Sequence, residues 1–172
     1  MKYVAMCAKG LEDISQLELK EIFNIDSEKL RPGRVVFETN EIENVITKTR
    51  SIIKILELKQ VCNDIEKIEF FPVKGSFKVS CSRKGEHAFN SIYVEQEIGK
   101  KFYAEGNEVD LKNPDTIVFV DIVDKDVIVG IDLSPNLLSK REYRVRNHNQ
   151  SVNACIAYDL VRLAEFDETK SL

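Results

Sequence analysis

Basic side chains are the residues of this chain most suited to a chemical task. One group is spread over the middle of the sequence: Lys74, Lys78, Arg83, Lys84, Lys100 and Lys101. A second lies within 138–150: Lys140, Arg141, Arg144 and Arg146, with the aromatic Tyr143 among them. Lys and Arg bind phosphate, and an interleaved aromatic ring can stack on a base. Either group could make a local nucleic-acid contact. For the first group, however, a solvated surface is the favoured interpretation, and for the second an interdomain linker is an equal alternative.

Residues for catalysis or metal binding are not grouped in the sequence. It has no Gly-x-Gly-x-x-Gly, no phosphate-loop motif and no Gly-x-Ser-x-Gly elbow. His87 and His148 lie far apart, and a hydrogen-bonded structural role is the favoured interpretation of His87, which lies next to a glycine turn. No pair among the four cysteines has Cys-x-x-Cys spacing, which predicts buried free thiols and no zinc site. We therefore predict no catalytic or metal-ligating residue, and leave open whether the chain is an enzyme.

Composition limits the class of protein. The chain has 172 residues, 43% hydrophobic and 31% charged, as in an ordinary globular protein of one or two small domains. A net charge of −4 argues against a general polyanion binder, so any nucleic-acid contact is local. No apolar run approaches the roughly 20 residues of a membrane span, and no signal peptide is evident. The sequence thus predicts a cytoplasmic protein without a membrane partner.

The first third of the chain alternates strands and helices. A strand near 3–8 is followed by a helix at about 11–23 and by two strands around Pro32-Gly33. Asn40 and Glu43 have capping-box spacing and predict the start of a second helix, before a strand at 55–61. This order is the ferredoxin-like pattern, which by itself implies no function.

The second part also predicts mixed α/β structure. A strand at 77–82 leads into a cationic turn, Arg83-Lys84-Gly85, and then into a helix at 86–103. Small residues on one face of that helix predict close packing on a sheet. The Ile- and Val-rich runs 116–123 and 126–132 predict strands buried on both faces, joined as a hairpin or separate in one sheet. A last helix from about Ser151 has one apolar stripe: Val152, Cys155, Ile156, Leu160 and Leu163.

Several short motifs, in order, resemble a known RNA-binding module. They are Phe77-x-Val79, Arg83-x-Gly85, Phe89, Ser91, the 109–115 turn and Val129-Gly-Ile-Asp132. Together they resemble the THUMP domain, which stands at the front of several tRNA-modifying enzymes, and 3–61 resembles the ferredoxin-like domain that precedes it. The segments 138–144, 151–154 and 156–164 resemble the linker and first helix of the methyltransferase domain in archaeal tRNA guanine-N2 methyltransferases.

This resemblance implies an α/β (α+β) protein in three parts. They are a ferredoxin-like domain at 1–62, a THUMP domain at 63–135, and a basic linker and helix at 136–172 that lead to a missing Rossmann-like methyltransferase domain. The family's S-adenosylmethionine loop and its Asn/Asp-Pro-Pro-Tyr motif are not found in the sequence. The resemblance therefore implies a fragment with no cofactor of its own, and S-adenosylmethionine in the covalently linked missing domain.

The implied function is RNA binding for tRNA guanine-N2 methylation. The acceptor end of tRNA, or another structured RNA, would contact both basic groups and Tyr143, and Arg141 and Arg144 could instead orient the missing domain. Two alternatives stand beside it: the RNA-binding part of a tRNA 4-thiouridine synthase, which shares the same front, and a non-catalytic assembly module.

Overall fold

The computed structural model describes residues 1–134, 136–140 and 151–166. Seven strands and four helices occur in this part of the chain, with a 3-10 turn at Ile65–Lys67. In chain order they are β1 Lys2–Met6, α1 Glu12–Phe23, β2 Ser27–Arg31, β3 Arg34–Glu38, α2 Ile42–Lys48, β4 Lys54–Cys62, β5 Phe77–Lys84, α3 Ser91–Ala104, β6 Thr116–Val123, β7 Asp126–Asp132 and α4 Ala154–Leu163. The mixed α/β class predicted from the sequence is confirmed.

Two compact units divide the chain. Unit 1 consists of Met1–Leu56 and Leu133–Leu172, and unit 2 of Glu57–Asp132. The boundary falls within β4, so this strand supplies residues to both. The three-part division predicted from the sequence, with boundaries after residues 62 and 135, remains a prediction.

Unit 1 has the strand order β2-β3-β1-β4, with β3 antiparallel to both β2 and β1. The β2–β3 turn uses Gly33 at φ +76, a conformation that favours glycine. The Glu12 carboxylate, at the start of α1, accepts hydrogen bonds from the N–H groups of Gly10 and Gly33 and so joins the helix to this turn. Helix α1 and the sheet enclose a core of apolar side chains: Tyr3, Ala5, Cys7, Leu19, Ile25, Val35, Phe37, Val45, Ile52 and Ile55.

Unit 2 has the strand order β4-β7-β6-β5. β5 and β6 are parallel and are connected through α3, whereas β6 and β7 form an antiparallel hairpin. Asp124 in the hairpin turn has φ +53. The hairpin resolves the choice that the sequence left open, and residues on both faces of β6 are buried, as predicted. The core is centred on Phe102, whose ring lies 5.0 to 5.6 Å from those of Phe70, Phe71 and Phe77.

Three local predictions were wrong. β5 continues through Lys84, so Arg83 and Lys84 belong to the strand and not to a turn. Helix α3 begins at Ser91, five residues later than predicted, because the Asn90 side chain caps it by accepting the N–H of Tyr93 at 2.8 Å. Helix α2 has no capping box: its first flanking residue is Glu41, which makes no side-chain cap hydrogen bond.

Candidate nucleic-acid interface

Arg83 lies at the end of β5 and organises the loop that follows. Its Nη1 donates to the Gly85 carbonyl at 3.3 Å and to His87 Nδ1 at 3.1 Å. Because a guanidinium only donates, Nδ1 is the acceptor, and His87 Nε2 carries the hydrogen that it donates to the Asp124 carbonyl, 2.6 Å away. The structural role predicted for His87 is confirmed. The loop 85–90 is thereby held against the β6–β7 turn.

Three rings follow one another from this loop into α3. The centroids of His87 and Phe89 are 5.1 Å apart, and those of Phe89 and Tyr93 are 6.3 Å apart. Tyr93 is 48% exposed. We call His87, Phe89 and Tyr93 the aromatic row. Exposed rings beside a cationic side chain are suited to stacking with nucleic-acid bases.

The aromatic row was not part of the site predicted from the sequence. The four-residue spacing of Phe89 and Tyr93 was visible as a signal, since residues four apart share a helix face. Helix α3 begins only at Ser91, however, so the contact between the two rings depends on the loop conformation that Arg83 and Asn90 stabilise.

A second surface of unit 2 is an open groove between α3 and β5. Its volume is about 420 Å³. We call it the α3–β5 groove and define it by its lining residues: Phe77, Lys78, Val79, Ile92, Glu95, Gln96, Gly99, Lys100, Tyr103, Val109 and Leu111. Ile92, Tyr103 and Leu111 are 62%, 66% and 73% exposed. The close packing predicted for the small face of this helix was wrong at Gly99, where no atom lies within 4 Å of an added Cβ.

The first predicted basic group does not form a single patch. Lys78 and Lys100 line the α3–β5 groove, and the Lys100 ammonium pairs with Glu97 at 2.7 Å. Lys84 and Lys74 are exposed. Since successive side chains of a strand point to opposite faces, Lys84 and Arg83 lie on opposite faces of the sheet. Their assignment to RNA remains a prediction.

Lys101 has an intramolecular role in the structure. Its ammonium donates to the carbonyls of Glu66 and Ile68, at 2.9 and 3.0 Å, and so joins α3 to the 3-10 turn.

The second predicted basic group lies mostly outside the described residues. Lys140 is exposed and belongs to unit 1. Arg141, Tyr143, Arg144 and Arg146 are not among the residues that the structure describes.

Other reactive groups have structural surroundings. The four cysteines are free thiols, and burial raises the pKa of both Cys7 and Cys81 to about 11, so these two stay protonated and are poor nucleophiles. Among the described residues, no group of three His, Cys, Asp or Glu side chains is placed to bind a metal ion. Within the same ranges, no helix has the length and apolar character needed to cross a membrane.

The Asp-rich turn before β6 is held by side-chain hydrogen bonds. Asp110 accepts hydrogen bonds from the N–H groups of Asn113 and Lys112, which lower its pKa. Asp115 accepts from the N–H and hydroxyl of Ser76. Both aspartates therefore stabilise the turn.

Comparison with known families identifies unit 2. Residues 54–132 match the THUMP domain family, over the strands β4 to β7 and helix α3 that surround both surfaces described above. The chain contains a THUMP domain.

Relatives extend the similarity beyond the THUMP domain. The tRNA (guanine(6)-N2)-methyltransferase of Methanocaldococcus jannaschii is 30% identical over 100% of this chain and 52% of its own length. TrmN from Thermus thermophilus superposes with a TM-score of 0.71 at 26% identity, over 96% of this chain and 55% of that chain. A tRNA sulfurtransferase of Thermoplasma volcanium is 48% identical, but over only 33% of this chain and 12% of its own length. The chain spans about half the length of the methyltransferases that it matches.

Proposed function

We propose that this chain is the RNA-binding part of a tRNA guanine-N2 methyltransferase. The observation that carries the proposal is the similarity to tRNA (guanine(6)-N2)-methyltransferases over the whole chain, unit 1 and THUMP domain together. Similarity to the sulfurtransferase covers a third of the chain, as expected for a THUMP module shared between enzymes of different chemistry.

The proposed role of the chain is to hold tRNA while another domain performs the chemistry. Methyl transfer and S-adenosylmethionine binding would belong to the half of the longer relatives that this chain does not match. Arg83 and Lys84 would contact phosphates near the acceptor end, and the aromatic row would stack on bases. Lys74, Lys78 and Lys100 would add phosphate contacts, as would Lys140 and Arg146 from unit 1. Arg141, Tyr143 and Arg144 would contact the RNA or orient the methyltransferase domain.

A titration with labelled tRNA at two salt concentrations tests RNA binding. An unstructured single strand of equal length serves as the competitor. We expect Arg83→Ala with Lys84→Ala to weaken tRNA binding and to reduce the slope of log K against log salt by about one or two, because each lost phosphate contact releases one fewer counterion.

Lys67→Ala is the matched control for this titration. Lys67 is exposed, and its ammonium donates to the Asn63 side chain. It follows Glu66, whose carbonyl accepts from Lys101 near the C-terminal end of α3. An unchanged affinity and slope in the double variant, with its fold intact, would remove Arg83 and Lys84 from the interface. Equal affinity for tRNA and the single strand would favour the assembly-module alternative.

The sulfurtransferase alternative needs a different experiment, because both enzymes bind tRNA. Deleting the gene for the whole protein in its host and analysing tRNA nucleosides by mass spectrometry distinguishes them. We expect loss of N2-methylguanosine with 4-thiouridine unchanged. The opposite result would assign the chain to the thiolation pathway.

A further inference from the structure

Helix α4 is packed with a polar residue inward and apolar residues outward. Val152, Leu160 and Leu163 of its predicted apolar stripe are 51%, 54% and 54% exposed. Cys155 and Asp159, four residues apart on the same side, are both 0% exposed. Three of the five members of the stripe are therefore exposed. Complete burial of a carboxyl group costs free energy unless hydrogen bonds or an opposite charge compensate for it.

Asp159 has no hydrogen-bond partner for either carboxylate oxygen among the residues that the structure describes. The Ser15 hydroxyl on α1 is also buried. Burial, and next the nearby charge of Glu18, raise the pKa of Asp159 to about 7.

Glu18 on α1 does not compensate for the burial of Asp159. Its carboxylate accepts the N–H groups of Arg50 and Ser51, at 2.7 and 2.9 Å, and the hydroxyls of Thr49 and Ser51. Four donors fill the acceptor capacity of one carboxylate. The charge of Glu18 opposes ionisation of Asp159.

Among the described residues, none of the other charged groups around α4 neutralises Asp159. On α4 itself, Arg162 pairs with Glu21 of α1, and Tyr158 stays a neutral phenol because burial raises its pKa. On β1, the Cys7 thiol stays protonated. Before β4, the charge of Arg50 acts on Tyr158 and Arg34 acts on Cys7, but neither contributes to the pKa shift of Asp159.

We propose that docking of α4 on unit 1 is controlled by protonation of Asp159: the helix packs with a neutral carboxylic acid and is released when that acid ionises. Cys155, which donates to the Ile52 carbonyl at 3.4 Å, and the Arg162–Glu21 pair hold the helix in the docked state. The exposed leucines add little to that state, so α4 is a local unit that can open without unfolding the remainder of unit 1.

The direction of the pH effect follows from linkage. When α4 is released, Asp159 returns towards the ordinary pKa of 3.8, whereas in the docked state its pKa is about 7. Docking is therefore strongest below about pH 4, weakens as the pH rises to about 7, and stays at its weak level above that. Release becomes up to about tenfold more favourable for each pH unit between these limits.

Hydrogen exchange measured by mass spectrometry on the whole chain tests the proposal. Exchange of peptides from α4 and α1 is followed at pH 5 and pH 8, and each rate is divided by the intrinsic rate at that pH. We expect protection of α4 to fall at least tenfold from pH 5 to pH 8, while α1 changes little. In Asp159→Asn, which keeps the shape but cannot ionise, protection of α4 should not depend on pH.

Two further measurements keep the result unambiguous. Ser15→Ala removes a different buried polar group and should retain the pH dependence. The wild type and Asp159→Asn are also alkylated with the same reagent at pH 8. Cys155 should react faster in the wild type than in Asp159→Asn. An equal pH dependence in wild type and Asp159→Asn would overturn the proposal. So would an equal loss of protection in α1 and α4, which would mean that the whole unit opens together.

Discussion

At the scale of single residues, Glu12 shows how a buried charge is stabilised. Burial opposes its ionisation, but hydrogen bonds from Lys29 and from the N–H groups of Gly10 and Gly33 outweigh burial and lower its pKa to about 2. The Lys29 ammonium lies 2.8 Å from the carboxylate. Glu12 thus differs from Asp159, which is also buried but accepts no hydrogen bond from the residues that the structure describes, and the pKa values of the two carboxyls move in opposite directions.

Glu12→Gln should destabilise the protein by roughly 2 kcal/mol at pH 7. Because the folded pKa is depressed, this stabilisation exists above the ordinary value of 4.5 and is lost as the pH falls towards 2. Urea unfolding at pH 7 and pH 3 measures it, and the difference from wild type should be smaller at pH 3. Glu28→Gln, at an exposed position of β2, is the control and should be nearly neutral. A difference independent of pH would contradict the charged role of Glu12.

At the scale of elements, two glycines beside the candidate interface have opposite roles. Gly99 lies within α3 with open space around it, so its lack of a side chain serves no packing contact. Gly85 ends β5 at φ +108, and a Cβ there would lie 2.5 Å from Asp124 Oδ1. The first glycine leaves the α3–β5 groove open, whereas the second permits the turn that Arg83 stabilises.

Gly99→Ala should stabilise the protein by about 0.5–1 kcal/mol, the difference in helix propensity. Gly85→Ala should destabilise it by about 1–3 kcal/mol, because the left-handed conformation and the contact with Asp124 both disfavour a side chain. Urea unfolding curves of the two variants provide the comparison. A loss of stability in Gly99→Ala would mean that the groove closes over this position.

At the scale of the whole molecule, continuity of the chain distinguishes the two units. The core of unit 2 is formed by residues between Cys62 and Ile131 alone. Unit 1 is formed by two separate segments, and Leu133 and Leu138 of the later segment pack against the core of the earlier one. In the later segment, Ser134 Oγ also accepts a hydrogen bond from the N–H of Ile55 at 2.9 Å.

A fragment of residues 54–132 should therefore fold alone, whereas 1–56 should not. Circular dichroism and the dispersion of amide signals in NMR spectra distinguish the two outcomes. Cooperative thermal unfolding is expected only for the first fragment, since it retains its complete core. An unfolded 54–132 fragment would show that unit 2 depends on unit 1 for stability.

Local signals in the sequence determined the order of the elements. Runs of Ile and Val predicted β6 and β7, and Gly33 predicted the β2–β3 turn. The motifs from Phe77 to Asp132 indicated the THUMP domain. These features depend on backbone preferences and on the spacing of nearby residues, which one segment carries by itself. For the same reason, the turn roles of Asp110 and Asp115 were predictable.

Only the tertiary structure decided which face of a helix is buried and which is exposed. Helical periodicity places Cys155, Asp159, Leu160 and Leu163 relative to one another, but it cannot tell that the carboxyl lies inside and the leucines outside. Likewise, the first predicted basic group is divided among three surroundings in the structure. They are the α3–β5 groove, the loop that Arg83 organises, and the intramolecular contact of Lys101. Burial and pairing depend on residues from distant segments that meet only in the folded chain. These residues determine the burial of Asp159 and which basic side chains stay exposed.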